Sequence, residues 1–173
     1  FTIGHDEHKM GIRGSSTTAL SFENVKVPLE NVLGTIGQGH KIAFNILNFG
    51  RLKLGVGALG GSKNLLKIAL KYAIERKQFH TPLSEFELIK NKVANMGAMI
   101  FALESMCYRT SGLIDRYITN LKKTDPEHYE QNAIKGVEEY AVESSILKVY
   151  GSETLDFTAD ESLQIHGGYG YSE

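Results

Sequence analysis

Apolar residues recur at intervals of three and four positions through most of this chain, and this helical spacing limits the folds it can adopt. It predicts three long helices, over residues 38–76, from Ser84 to about residue 118, and from Asp125-Pro126 to about Ile165. Long helices joined by short loops lie side by side in alternating directions, and each must bury one apolar stripe. The fold class is therefore expected to be mainly α, an antiparallel up-and-down helical bundle that is incomplete because a fourth helix is missing.

Residue types near the predicted helix ends indicate where each helix begins and ends. Ser84 and Glu87 form the pattern of a capping box, in which a hydroxyl and a carboxylate each accept a bond from a free backbone N–H. Asp125 reads as an N-cap with Pro126 at the first helical position, where a missing N–H costs nothing. Gly151 is expected to be a weak interruption of the third helix.

The N-terminal segment has a different pattern. Residues 17–27 alternate apolar and polar side chains over their second half, which predicts a strand, alone or in a hairpin with residues 1–5. Neither arrangement is stable without further strands. We therefore expect residues 1–36 to be the end of a β-domain with a linker, and residues 37–173 to be a truncated helical bundle domain, with cuts at both ends of the chain.

Charge and cysteine content exclude several functions. Nineteen lysines and arginines nearly balance twenty aspartates and glutamates, so neither nucleic acid nor an anionic membrane surface is an expected partner. No apolar run is long enough for a transmembrane segment. The single cysteine, Cys107, lies among apolar residues and is predicted to be a buried thiol in a reducing compartment. His5 and His8 lie three positions apart, but no cysteine or carboxylate constellation completes a tetrahedral set of ligands, so no metal site is predicted.

One motif is misleading. Gly55-Val-Gly57-Ala-Leu-Gly60 matches the glycine fingerprint of dinucleotide-binding folds, but that fingerprint must follow a buried strand and open a helix. The residues before Gly55 already have helical spacing. These glycines are therefore predicted to lie inside a helix, where small residues let another helix pack closely.

Two clusters have the chemistry of a ligand site. Arg76, Gln78 and Phe79 follow the first helix and could pair with a phosphate, donate a hydrogen bond and stack on a flat ring. A charged helix end explains them as well. The second cluster, Gln164 to Gly170, runs from a helix into glycines that let backbone N–H groups reach a ligand. A plain glycine C-cap explains it equally well.

In this order, the two clusters resemble the acyl-CoA dehydrogenase family, and the resemblance covers essentially the whole chain. Residues 9–13 and 25–34 are similar to the family's last β-domain strands, and the helices are similar to its C-terminal bundle. The motif Asn48-Phe49-Gly50-Arg51 and the insertion before the third helix most resemble the very-long-chain acyl-CoA dehydrogenase branch.

The resemblance implies particular site residues. It places Asn48 and Arg51 near the bound acyl-CoA. It implies that FAD lies at a contact between identical subunits, and that the electron acceptor is an electron-transfer flavoprotein. The residues that it implies in binding a neighbouring subunit's FAD are Arg76, Gln78, Phe79, Gln164, Ile165, His166, Gly167 and Gly168.

The chain departs from the family pattern at two positions, and a third position bears on catalysis. His80 stands where a glycine is usual, and Glu87 stands where a glutamine often meets the flavin, so Glu87 is left outside the site. Some members carry their catalytic glutamate at the position of Gly50. Because Gly50 has no carboxylate, no catalytic residue is predicted in this chain, and the base is expected beyond Glu173.

The implied parent enzyme oxidises fatty acyl-CoA to trans-2-enoyl-CoA in fatty acid β-oxidation, with hydride transfer to FAD. The resemblance implies the cytoplasm in a bacterium or the mitochondrial matrix in a eukaryote. The isolated fragment is expected to be inactive. Two alternatives stay open: an acyl-CoA oxidase-type relative, and a non-enzymatic helical module for oligomerisation or interaction.

Overall fold

The computed structural model describes residues 1–172, without the side chains of residues 130, 131 and 134. Two compact units form, Phe1–His40 and the part of the chain from Lys41 onward. The assignment of the first unit to a β-domain and of the second to a truncated bundle domain stays a prediction.

The first unit contains one antiparallel pair of strands. Strand β1, Thr2–Asp6, pairs with β2, Thr18–Ser21, and every residue of β1 is exposed. The strand predicted over residues 17–27 is therefore shorter than expected. Since the last residue of β2 is already opposite the first residue of β1, residues 22–27 have no described strand beside them.

The second unit is helical, as predicted. Its elements are α1 (Gly39–Glu75), a short hairpin of β3 (Lys77–Gln78) and β4 (Thr81–Pro82), a 3₁₀ turn (Leu83–Glu85), α2 (Glu87–Thr124), α3 (Tyr129–Glu139), α4 (Ala141–His166) and a 3₁₀ turn (Gly167–Gly170). The first predicted helix is thus confirmed to within a residue at each end. None of the described helices is both long enough and apolar enough to cross a membrane.

Helices α1 and α4 lie side by side and run in the same direction. Gly55 packs against Leu147 near the beginning of the contact, and the rings of Tyr72 and His166 stack near its end. The later residue of α1 thus meets the later residue of α4, which only a parallel pair can do. One helix must run back between them.

Helix α2 runs antiparallel to both. Near its start, Lys92 pairs with Glu161 in the last part of α4, and further along Glu104 pairs with Lys63 in the middle of α1. The antiparallel bundle is therefore confirmed for the three long helices. Their apolar stripes form two buried clusters, one of Leu52, Leu59, Ile100, Leu103, Cys107, Ile114 and Leu147, and one of Ala69, Ala73, Met96 and Ile165. The prediction that Cys107 is buried is confirmed, and burial raises the pKa of its thiol.

Glycines set the distance between α1 and α4. A Cβ on Gly55 would lie 3.0 Å from the carbonyl oxygen of Leu147, and a Cβ on Gly151 would lie 3.0 Å from the Cα of Gly55. The glycine fingerprint therefore lies inside a helix as predicted. The expectation that Gly151 interrupts its helix was wrong: α4 continues through Gly151 because the missing side chain is needed for packing.

The predicted capping box was wrong. Ser84 lies in the 3₁₀ turn, α2 begins only after Phe86, and no side chain caps it. The backbone N–H of Leu83 donates to the carbonyl of Arg76 over 2.9 Å, and this bond holds the turn in place ahead of the helix. The carboxylate of Glu87 instead pairs with Lys90.

The third helix was predicted as one element but is two. Asp125 is not its N-cap: it ends α2, and its carboxylate bonds with His128 and Asn132 across the junction. A second break follows at Tyr140, between α3 and α4. In α3, Gly136 packs against Tyr117 of α2, whereas α4 packs against both α1 and α2.

Candidate functional site

The two predicted clusters meet in one cavity at the end of the bundle where α1 and α4 both finish. The cavity has a volume of about 560 Å³, which is within the usual range for small-molecule sites. Seven of the predicted residues line it: Arg76, Gln78, Gln164, Ile165, His166, Gly167 and Gly168. The fold therefore brings together side chains that lie about 90 positions apart in the sequence.

The glycine turn, Gly167-Gly168, forms the exposed edge of this cavity. Gly167 has φ 57° and ψ −133°, a conformation that only glycine adopts readily, and its N–H donates to the carbonyl of Gln164 as the C-cap of α4. No atom lies within 4 Å of where a Cβ would stand on Gly167 or Gly168. A ligand can therefore reach the backbone at this edge.

Aromatic contacts connect the turn to the end of α1. The ring of Tyr72 stacks on His166 with centroids 4.3 Å apart, and the guanidinium of Arg76 lies 5.5 Å from the ring centroid of Tyr169. His166 Nδ1 donates to the carbonyl of Ser162 over 2.7 Å. These contacts hold α1 and the glycine turn together.

The β3–β4 hairpin adds Gln78 to the cavity, but its tip points elsewhere. Phe79 is 88% exposed and is not among the described residues that line the cavity. Phe79 and His80 both have positive φ, 52° and 63°, which costs roughly 1–2 kcal/mol for a residue with a side chain. A strained turn thus holds an aromatic ring in solvent, one residue after Gln78 of the cavity.

The electrostatics of the cavity centre on Arg76. Helices α1 and α4 both end here, and helix C-termini carry partial negative charge. Among the described lining residues, Arg76 is the one with a permanent charge. The positive charge of Arg76 therefore offsets the partial negative charge of the two helix ends. It is also placed to attract an anionic ligand.

The predicted substrate residues lie far from this cavity. Arg51 Nη1 donates to Asn48 Oδ1 over 2.7 Å, and Asn48 is only 7% exposed. At 1.5 Å per residue, Arg51 is roughly 35 Å from the end of α1. The two residues contact each other, with the buried amide orienting the guanidinium, and they do not line the cavity.

The sequence interpretation missed five residues of the cavity: Tyr72, Leu83, Ile89, Tyr169 and Ser172. Tyr72 could have been found, because it lies four positions before Arg76 and therefore on the same face of α1. Tyr169 lies within the second cluster but was not assigned a role. Leu83 and Ile89 follow the β3–β4 hairpin in the sequence, and they line the cavity only because the hairpin returns the chain to the end of α1. In the described part of the chain, no group of three or more histidine, cysteine, aspartate or glutamate side chains could hold a metal.

Comparison with known proteins identifies the family. The family model described as "Acyl-CoA dehydrogenase, C-terminal domain" matches residues 37–173. The chain belongs to the acyl-CoA dehydrogenase family. The match begins just before α1 and so covers all the helices and the cavity of this family member.

Individual relatives agree with this assignment. The chain is 48% identical to the probable acyl-CoA dehydrogenase of Bacillus subtilis (strain 168), over 99% of this chain and 29% of that protein. It is 36% identical to the mitochondrial very long-chain specific acyl-CoA dehydrogenase of Rattus norvegicus, over 98% of this chain and 23% of that protein. Very-long-chain enzymes are thus among its relatives, and the chain spans less than a third of either protein.

A solved structure matches the fold. The crystal structure of acyl-CoA dehydrogenase complexed with FAD from Bacillus anthracis superposes with a TM-score of 0.85 at 49% identity, covering 98% of this chain and 30% of that one. The whole of α1 to α4 therefore has a counterpart in a flavoprotein.

Proposed function

We propose that this chain is the C-terminal part of an FAD-dependent acyl-CoA dehydrogenase, which oxidises fatty acyl-CoA to trans-2-enoyl-CoA. The observation that carries the proposal is the shared cavity: an arginine and an amide from the end of α1 face a glycine turn from the end of α4. The Bacillus anthracis relative with the same fold holds FAD.

The residues of the cavity fit the ADP half of FAD. Arg76 supplies a cation for a diphosphate oxygen, and the amides of Gln78 and Gln164 supply hydrogen bonds. The glycine turn lets the ligand approach the backbone, because no side chain covers Gly167 or Gly168. FAD, when bound, supplies the hydride acceptor for the oxidation.

The second copy of the chain is part of the proposal. The exposed ring of Phe79 lies at the rim, outside the cavity that its own chain lines, and the hairpin holds it there in spite of the positive φ. Such a ring suits a contact with FAD bound mainly by an identical subunit, which would cover it. The function thus requires a homo-oligomer.

The Asn48–Arg51 pair is proposed to contact the acyl-CoA. A guanidinium oriented by a buried amide pairs well with phosphate or carbonyl oxygens. No residue of this chain is assigned a catalytic role. The proton on the α-carbon is expected to go to a carboxylate outside it while hydride leaves the β-carbon.

The remaining partners follow from the family. An electron-transfer flavoprotein is the proposed acceptor of the electrons. The relatives from a bacterium and from rat mitochondria support the cytoplasm of a bacterium, or the matrix of mitochondria, as the compartment.

The test compares Arg76→Gln with Arg116→Gln in the full-length protein that carries this chain. Arg116 is exposed on α2, far along the helix from the cavity, and serves as the matched loss of one charge. We expect Arg76→Gln to weaken FAD binding about tenfold or more, the size of a charge-assisted hydrogen bond, and Arg116→Gln to leave it unchanged. Equal FAD affinity in both variants would refute the site.

Activity and assembly separate the alternatives. With acyl-CoA as substrate, a dehydrogenase reduces an electron-transfer flavoprotein, whereas an oxidase produces hydrogen peroxide. A helical interaction module would self-associate in size-exclusion chromatography without any response to FAD.

A further inference from the structure

Two ring contacts, one helical turn apart on α1, lie on either side of the glycine turn. Tyr72 stacks on His166, the residue before Gly167, and Arg76 lies over Tyr169, the residue after Gly168. The end of α1 therefore contacts the residue on each side of the exposed glycine pair.

The glycine turn needs such support. Gly167 and Gly168 have no side chains and no neighbours where a Cβ would stand, so the turn is held at these two positions by backbone hydrogen bonds, from Gly167 N–H to Gln164 and from Tyr171 N–H to Gly168. Glycine is the residue with the most backbone freedom. A ligand that binds to backbone groups pays for any disorder in them, unless a neighbouring residue holds them in place beforehand.

We propose that Tyr72 is a positioning residue, which acts through His166 to hold the glycine turn in the conformation that receives the dinucleotide. This inference rests on the proposed function of the cavity as an FAD site. It adds a residue that lies outside the two clusters by which the site was predicted.

The contacts of Tyr72 suit this role. Its ring covers one face of the imidazole with an angle of 27° between the planes, and its hydroxyl donates to the carbonyl oxygen of His166 over 3.4 Å. That carbonyl belongs to the peptide group that leads into Gly167. On the other side, the bond from His166 Nδ1 to Ser162 fixes the imidazole against α4. Tyr72 therefore restrains both the ring and the backbone of the residue before the turn.

Arg76 cannot replace this restraint. Its guanidinium is exposed and contacts Tyr169 only through the ring face at 5.5 Å, whereas Tyr72 is half-buried and its helix neighbour Ala73 is fully buried. A cation at that distance also has to remain available for the ligand. The glycine turn is therefore held more firmly at His166, which contacts Tyr72, than at Tyr169, which contacts Arg76.

The experiment measures FAD affinity by equilibrium dialysis in the full-length protein. Tyr72→Leu removes the stack and the hydroxyl, and we expect about tenfold weaker binding, the size of one ring contact and one hydrogen bond. Tyr72→Phe keeps the stack and should stay within about threefold of the wild type. Tyr72→Met, with a different apolar side chain, replaces Tyr72→Leu if that variant does not fold.

The control is Tyr150→Leu. Tyr150 is also a half-buried tyrosine packed on the bundle core, but it lies in the other buried cluster. Its loss should lower the melting temperature and leave FAD affinity within about twofold, because general loosening of the bundle does not disturb the turn.

A double-mutant cycle tests the route through His166. In a His166→Ala background the imidazole is gone but the backbone carbonyl remains, so Tyr72→Leu should weaken FAD binding by no more than about threefold further, the effect of losing the hydroxyl alone. Unchanged affinity in Tyr72→Leu would overturn the inference, and so would a tenfold loss that persists in the His166→Ala background. The proposed function fails separately, if the wild-type protein binds no FAD or binds it independently of Arg76.

Discussion

Helices α1 and α4 contact each other at several points, and the contacts in the middle and at the end of the pair are built differently. In the middle of the bundle, Gly55 and Gly151 bring the two backbones together with no room for a Cβ. At the end, Tyr72 and His166 meet ring to ring beside a cavity of about 560 Å³. The glycine contact fixes how the helices align, and the aromatic contact leaves space for a ligand.

The first contact determines the second. Gly55 meets Gly151 and Tyr72 meets His166, and along two parallel helices these offsets are nearly equal. A shift of one helical turn at the glycines would therefore separate Tyr72 from His166 and Arg76 from Tyr169. A tight contact in the core thus positions a loosely packed site about two dozen ångströms away along the helix.

The largest expected effect comes from filling the middle contact. Gly151→Ala places a Cβ 3.0 Å from the Cα of Gly55, so the helices must separate, and we expect the free energy of unfolding to fall by about 1–3 kcal/mol. Thermal and urea unfolding of the full-length protein measure this change.

Gly60→Ala is the matched control for that prediction. Gly60 is exposed on α1 with no atom within 4 Å of its Cβ position. Alanine is the better helix former by about 1 kcal/mol, so this variant should be slightly more stable than the wild type. Equal destabilisation by both substitutions would show that the close contact is not what matters.

The next largest effect lies at the end of α4. Gly167→Ala forces a side chain into a backbone conformation with φ 57° and ψ −133°, and we expect a cost of about 1–3 kcal/mol, confined to the last turn and the cavity edge. Hydrogen exchange should accelerate around residues 164–170 while the middle of α4 stays protected. Acceleration along the whole helix would contradict the view that the two contacts are separate.

A smaller and opposite effect is expected at the hairpin. His80 has φ 63°, and the family pattern has glycine there, so His80→Gly relieves strain at an exposed turn. Part of the gain is lost because glycine increases the entropy of the unfolded chain, which leaves a net stabilisation of about 0.5–1 kcal/mol. A lower melting temperature in this variant would mean that the imidazole makes a contact worth more than the strain.

The smallest effect concerns the junction of α2 and α3, far from either contact. The hydrogen bond from His128 lowers the pKa of Asp125 below its ordinary value, and the bond from Asn132 lowers it further. A carboxyl with a depressed pKa in the folded state stabilises the protein above its unfolded-state pKa, near pH 4, and this contribution disappears as the pH falls further. Asp125→Asn should therefore flatten the acid side of the stability profile. An unchanged profile would exclude the junction as a source of pH dependence.

The candidate site was predicted in part because its motifs are local. Arg76, Gln78, Gln164 and the glycine turn each lie at or just after a helix end that the sequence marks clearly, and seven of the eight predicted cofactor residues line one cavity. Phe79 does not line it, because a two-residue turn with positive φ directs it away. The spacing to Arg76 places Tyr72 on the cavity side of α1, but its contact with His166, 94 positions further along the chain, is visible only in the fold.

The sequence by itself determined the helical class, the extent of α1 and the placement of the glycine fingerprint inside a helix, because hydrophobic spacing and helix-breaking residues act over a few positions. It did not determine which glycines carry the packing. Gly55 and Gly60 look alike in the sequence, and only the neighbouring α4 distinguishes them.

Only the tertiary structure decided where α2 starts and why the third helix breaks in two. Ser84 and Glu87 had the right spacing for a cap, but the bond from Leu83 to Arg76 fixed a different turn. The break at Tyr140 separates a short helix that packs on α2 from a long one that packs on both α1 and α2. A helix cap stabilises by about 1 kcal/mol, whereas burying the apolar face of a whole helix stabilises by several times more, so burial decides where the helices begin and end.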